Sequence, residues 1–163
     1  MKAKTTWNGN LNFTGSSDSE LALTMDAGSD IDGNANGFRP MELFAIGLAG
    51  CTAMDVISIL TKKQQDITGF EVQVHVDRSS EHPKVFTHAV IDYLITGSKV
   101  EEAAVLRAIE LTAGKYCHAQ AMLGKIMPIE LKYSIFEDLG ENTRRHVSDG
   151  ECHARFDASL QKI

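Results

Sequence analysis

Apolar positions follow two different periods along this chain. From Phe70 to Val76 they alternate strictly, with Phe70, Val72, Val74 and Val76 on one face and Glu71, Gln73 and His75 on the other, which predicts a half-buried strand. After a polar turn over residues 77–84 that holds Pro83, a second strand is predicted over 85–96, where Val85, Ala89, Ile91, Tyr93 and Ile95 share a face. A last strand is predicted over 129–136, where Ile129, Leu131, Tyr133 and Ile135 alternate with Glu130, Lys132 and Ser134. Between these strands the period changes. Ser98 and Glu101 read as a capping box, and Val105, Ile109, Thr112 and Tyr116 form one helical stripe. A helix is therefore expected over 99–113, ended by Gly114, and a shorter one from about Lys115–Cys117 to Gly124.

One segment follows neither period. Met41–Leu60 is apolar nearly throughout, and from Leu43 onward it carries a single charge, Asp55. Pro40 suits the first helical position, Glu42 the first turn and Lys62–Lys63 the last, so a helix is expected that must be buried on most sides. Its length approaches the roughly 20 residues of a membrane span. Asp55 in hydrocarbon and the lack of a flanking polybasic loop speak against that reading. Cys51 lies near the middle of the run. It is either a small core hydrophobe or a reactive thiol beside a pocket, and the run itself does not choose between them.

Upstream, short apolar stretches at 5–7, 11–13 and 21–25 are separated by Asn8-Gly9-Asn10 and Gly15–Asp18, the punctuation of an antiparallel meander. Residues 27–37, AGSDIDGNANG, read as a loop. Beyond Phe136 the chain turns polar and weakly patterned, so residues 137–163 are expected to form an appendage to a domain of residues 1–136, with a turn or two of helix near 154–161.

Composition narrows the function. With 163 residues, 43% hydrophobic and 23% charged, the chain reads as one soluble globular domain. A net charge of −6 argues against nucleic acid or anionic lipid as a partner. The N-terminus, MKAKTTWNGNLNF, has no apolar core behind its lysines, so a cytoplasmic location is expected. Three widely spaced cysteines, Cys51, Cys117 and Cys152, suit redox or catalytic use in a reducing compartment better than a disulfide framework. His75 and His88 lack a second ligand at metal spacing, and His146, Cys152 and His153 stand in the polar tail, so no metal and no bound cofactor is expected.

The order strands, apolar helix, two strands, two helices, strand is α+β rather than a doubly wound sheet. With Pro40–Cys51 reading PMELFAIGLAGC and a second cysteine 66 positions later inside YCHAQAML (Tyr116–Leu123), the sequence resembles the OsmC/Ohr family, the osmotically induced and organic hydroperoxide resistance proteins. Cys51-Thr52-Ala53-Met54-Asp55-Val56 matches one subgroup of it. The resemblance implies an OsmC-like fold, antiparallel sheets around a buried central helix, in an intertwined homodimer with sites at the subunit interface. It implies a thiol peroxidase acting on organic hydroperoxides, with Cys51 peroxidatic, Cys117 resolving, and recycling by an external dithiol, lipoyl or small. A non-catalytic redox-sensing or binding protein of the same fold is the alternative.

Only a thiolate attacks a peroxide oxygen, and burial alone holds a thiol neutral, so a cation is required. In the family an early arginine supplies it, oriented by a glutamate in a Pro-Glu step. Here Met41 follows Pro40, Glu42 comes one residue later, and Arg39 is the only arginine before Cys51. Arg39 and Glu42 are thus the candidates to serve Cys51, with Arg78, Arg107 and Lys115 in reserve. Asp55, one helical turn from Cys51, disfavours a thiolate there. On local grounds, with Lys115 close and a helix start beneath it, Cys117 is expected to be the more acidic thiol.

Overall fold

The computed structural model describes residues 1–28, 33, 35–141 and 143–153. Two compact units make up the chain, Met1–Ile46 and Gly47–Ile163. In the first, β1 (Ala3–Gly9), β2 (Asn12–Ser17) and β3 (Ala22–Met25) form an antiparallel meander in that order. The Asn-Gly-Asn step turns it as expected. Gly9 (φ +107°) and Asn10 (φ +48°) both take left-handed conformations, which these residue types adopt at least cost. The loop that follows gathers around a buried carboxylate absent from the sequence reading. Asp26 Oδ1 accepts the Ala27 N–H at 2.8 Å, and Oδ2 accepts the Asn12 side-chain amide at 3.4 Å.

The apolar run forms one helix, α1 (Pro40–Lys62), with the expected limits. Its burial differs from expectation. In a single copy of the chain its fully buried residues are Leu48, Thr52, Val56 and Leu60, a stripe repeating every four residues, and 22% of its most apolar 18-residue stretch is buried. By length and composition α1 could cross a membrane. A helix this apolar is expected to be buried on most sides, and Met54 is instead 74% exposed.

The second unit is built on a four-stranded sheet, β4 (Asp66–Arg78), β5 (Phe86–Ser98), β6 (Ile129–Asp138) and β7 (Arg144–Glu151), in that order. β4 keeps the alternation read from sequence, with Phe70, Val72, Val74 and Val76 half-buried and Glu71, Gln73 and His75 exposed. On β5, Ala89, Ile91, Tyr93 and Ile95 are fully buried, whereas Val85 lies outside the strand and is exposed. β4–β5 and β6–β7 pair antiparallel. β5 and β6 run parallel, Tyr93 opposite Tyr133, a departure from all-antiparallel sheets. The connection between them holds α2 (Glu102–Leu111), a π-helical turn (Thr112–Tyr116) and α3 (His118–Leu123), and a crossover of that length is what parallel neighbours need.

Two local expectations fail for identifiable reasons. The Ser98 capping box does not form, because Ser98 is still in β5 and the N-cap is Glu101, whose N–H is taken by Gln65 Oε1 at 2.8 Å. Gly114 does not end the second helix, because the chain widens into the π turn and passes through it. Residues 144–151 were read as part of a polar appendage, but β7 is an edge strand on β6. Edge strands need only one apolar face and so leave a weak pattern. The Cys152 N–H donates to Leu131 O at 2.8 Å, and Cys152 is buried. The helical turns anticipated near 154–161 lie outside the described residues.

Tyr133 ties this edge to α2. Its hydroxyl donates to Glu102 Oε1 at 2.5 Å, and Gly150 sits so close that a methyl there would meet the hydroxyl at 2.6 Å. Gly150→Ala is therefore expected to lower the unfolding free energy in urea by about 1–3 kcal/mol, the usual scale of overpacking, where an unattached tail would give no change. The bond to the Glu102 carboxylate, then burial, raises the Tyr133 phenol from 10.0 to about 12. Stability from that bond is present below pH 10 and lost as pH rises to 12. Urea midpoints across that window should fall less steeply in Tyr133→Phe than in the unmodified chain.

Candidate functional site

Cys51 and Cys117 come together. Cys51 projects from α1 beside the buried Thr52 and is partly exposed, while Cys117 is 2% exposed. The Cys117 thiol donates to the Cys51 sulfur, Sγ to Sγ 3.3 Å. Cys117 stands at the N-cap of α3 rather than within a helix, and the π turn puts it there. The Cys117 N–H reaches Thr112 O at 2.8 Å, an i→i+5 bond that closes the widened turn and releases the chain into extended geometry. Single π turns of this kind concentrate at functional sites.

A polar knot lies beneath the thiols. Thr52 Oγ1 and the Tyr93 hydroxyl are 2.5 Å apart, and Gln120 Nε2 donates to both, at 2.8 and 3.1 Å. Thr52, Tyr93 and Gln120 are each 0% exposed, so one set of side-chain hydrogen bonds joins α1, β5 and α3 inside the core, while the buried Gln120 Oε1 has no partner among the described residues. Gln120 serves the site twice, because its backbone N–H donates to Cys117 Sγ at 3.4 Å. None of the three was singled out from sequence. The usable signals were a threonine adjoining Cys51 in an apolar run and a tyrosine on the buried face of a strand, since a buried phenol needs a partner.

Electrostatics do not make Cys117 the acidic thiol that its local sequence suggests. Burial, reinforced by the hydrogen bond to Cys51 and its charge, pushes the Cys117 thiol well above the ordinary 9.0, against the backbone N–H groups of Gln120 and Ala119. Lys115 does not offset this, since its ammonium lies over the Tyr116 ring, 5.4 Å from the centroid. Cys117 is therefore held protonated. Asp55, four residues after Cys51, belongs to the cluster: one carboxylate oxygen and both sulfurs lie within 4.8 Å of one another. Burial raises the Asp55 pKa and the charge of His118 opposes the shift.

Arg39 and Glu42 belong to the first unit, where the Arg39 backbone N–H donates to Glu42 Oε2 at 2.9 Å across the first turn of α1. Arg78 Nε donates to Lys84 O at 3.2 Å and Arg107 pairs with Glu110 at 3.2 Å. His88 bridges Asp77 and Glu130, at 3.3 and 3.1 Å, and His146 pairs with Asp149 at 3.1 Å.

Known proteins resemble the chain closely enough to fix its kinship. Residues 33–132 match the family model described as OsmC-like protein. Protein YhfA of Escherichia coli K12 is 37% identical over 135 residues, 83% of this chain and 98% of that protein. The crystal structure of a hypothetical protein from Aquifex aeolicus superposes with a TM-score of 0.73 at 25% identity, covering 84% of this chain and 96% of that one. An organic hydroperoxide resistance protein from Elizabethkingia anophelis superposes with a TM-score of 0.59, over 83% and 94% of the two chains. At 17% identity that last likeness concerns the fold alone.

Because the three side chains share their hydrogen bonds inside the core, removing Gln120 should be costly. Gln120→Ala is expected to reduce the unfolding free energy by about 1–3 kcal/mol through loss of the amide donor to both buried hydroxyls and the space left in the core, measured in urea. Tyr93→Phe, which leaves the Gln120–Thr52 bond intact, should cost less.

Proposed function

This chain belongs to the OsmC-like family, and from that premise we propose that it is a thiol-dependent peroxidase reducing organic hydroperoxides, with Cys51 as the peroxidatic and Cys117 as the resolving cysteine. The observation that carries the proposal is the 3.3 Å approach of the two sulfurs, from which a disulfide of about 2.05 Å forms by a shift of little more than 1 Å. Exposure divides the roles. Cys51 is the thiol a peroxide can reach, and Cys117 is buried and held protonated. The Cys51 thiolate attacks one peroxide oxygen, the O–O bond breaks, and alcohol leaves. The Cys51 sulfenic acid then meets the Cys117 sulfur, water is lost, and the disulfide forms before further oxidation. An external dithiol, lipoyl or small, takes the disulfide back to two thiols. Arg39 is our candidate for the cation that favours the thiolate, with Glu42 as its orienting partner.

A homodimer in the cytoplasm is part of the same proposal. α1 is among the most apolar segments of the chain, yet a single copy buries it along one stripe. Met54, Met122 and Ile126, on or beside the elements that bear the thiols, are 74%, 66% and 73% exposed. A second copy is the simplest cover for such a surface.

One equivalent of organic hydroperoxide should yield a Cys51–Cys117 disulfide and leave Cys152 unmodified, because Cys152 is buried beside β6. Peptide mapping after alkylation reads this, and a Cys152 disulfide as the main product would overturn the assignment. Turnover in a peroxide consumption assay with a lipoyl or small dithiol marks an enzyme. Stoichiometric oxidation without turnover assigns the chain to redox sensing instead. Arg39→Ala should slow the reaction roughly 10²-fold, the scale of losing a charged contact to a reacting centre, and Glu42→Ala should do less. Light scattering should return twice the chain mass, and a monomer would remove the interface from the model of the site.

A further inference from the structure

The thiol pair has a third member that peroxide chemistry does not use. Cys51 and Asp55 are four residues apart on α1, the spacing at which helical metal-ligand pairs share a face. Cys117 faces them from the N-cap of α3. Two sulfurs and a carboxylate oxygen lie within 4.8 Å of one another. A tetrahedral ion with bonds of about 2.3 Å to sulfur and about 2.0–2.2 Å to oxygen needs its donors roughly 3.5–3.8 Å apart. The 3.3 Å sulfur pair would have to open by about half an ångström, and the carboxylate oxygen to close by no more than about 1.3 Å.

We propose that the reduced protein binds one zinc-class divalent cation through Cys51 Sγ, Cys117 Sγ and a carboxylate oxygen of Asp55. Two thiolates with one carboxylate select a borderline ion such as Zn²⁺ or Co²⁺ over Mg²⁺ or Ca²⁺, which take oxygen sets. Three protein donors leave a fourth position for water or an exogenous ligand. Cys51 and Asp55 are both partly exposed, which provides an entry path. Binding exchanges the two thiol protons for the ion and transfers no electrons. The ion and the Cys51–Cys117 disulfide exclude each other, because they use the same two sulfurs. A carboxylate beside a thiol opposes its ionisation; a cation among all three groups removes that conflict, and Asp55 then has a use. The site requires the reduced thiols but not peroxide turnover, so it stands or falls apart from the peroxidase proposal.

The test is anaerobic titration of the reduced full-length chain with Co²⁺, whose thiolate-to-metal absorption reports sulfur ligands directly. One equivalent should saturate the band, Zn²⁺ should displace it, and excess Mg²⁺ should not. Cys51→Ser and Cys117→Ser should each lose roughly half the thiolate intensity, and Cys152→Ser should leave band and affinity unchanged. Asp55→Asn should weaken Co²⁺ binding at least tenfold, since even the groups that support a ligand are worth 10–100-fold in affinity. Formation of the Cys51–Cys117 disulfide in Asp55→Asn with a mild thiol oxidant shows that this variant is folded. Failure of the band to appear overturns the site, as does undiminished affinity in Asp55→Asn or loss of the band in Cys152→Ser.

Discussion

The shared hydrogen bonds among Thr52, Tyr93 and Gln120 are the constraint on which the arrangement of the thiols depends. At zero exposure each unmet polar group costs about 1–3 kcal/mol; the two hydroxyls and the Gln120 amide nitrogen meet one another, while Gln120 Oε1 has no partner among the described residues. The requirement is geometric as well as energetic. Thr52 adjoins Cys51 on α1, Gln120 is three residues past Cys117 on α3, and Tyr93 stands on the central strand between them. If the three meet at 2.5–3.1 Å, rotation of α1 about its axis and the height of α3 over the sheet are both set. The two sulfurs are thereby brought to 3.3 Å. No disulfide holds them there.

The π turn supplies what a regular helix would not. Had α2 ended at Gly114 as its sequence suggests, Cys117 would start a new helix with its sulfur directed by that helix alone. The i→i+5 bond from the Cys117 N–H to Thr112 O keeps the chain in register with α2 for one more turn and then delivers Cys117 in extended geometry at an N-cap. There its sulfur takes the Gln120 N–H in the place usually filled by a serine or aspartate oxygen. The cost is burial of a thiol that the local N–H groups only partly compensate, hence the raised pKa.

Much of this was legible before any coordinates. Alternation marks β5 and β6 to within about two residues and the middle of β4, which starts four residues earlier and ends two later than its alternating run, because a strand with one buried face writes its period plainly. The limits of α1 followed from Pro40 and Lys62, and the thiol pair from two cysteines in family-like surroundings. What escaped has physical reasons. β7 is an edge strand in which His146 packs edge-on to Phe136 and Arg144 stacks over the same ring, so polar residues do apolar work and erase the pattern. Gln120 and Tyr93 belong to elements 27 positions apart, and nothing local announces that a glutamine's partners lie across the core. Lys115 and the start of α3 are near Cys117 in sequence and suggest an acidic thiol, whereas desolvation depends on everything packed around the sulfur.

Asp55 is where the pieces press hardest on one another. A carboxylate within 4.8 Å of two thiols raises the free energy of every state in which a thiolate and the carboxylate are both charged, and partial desolvation sharpens that penalty. Three charge states relieve it: a protonated Asp55, which its raised pKa favours; a neutral pair of thiols, which suppresses nucleophilic chemistry; or a cation shared by all three groups. His118 contributes in the direction of the third, since its charge already favours the ionised carboxylate. An arginine acting on Cys51 and a divalent ion acting on the whole cluster are therefore competing solutions to one electrostatic problem. Under the proposals made for this chain, both solutions act on the reduced pair, and closing the disulfide between two sulfurs 3.3 Å apart removes the thiolate that either one serves.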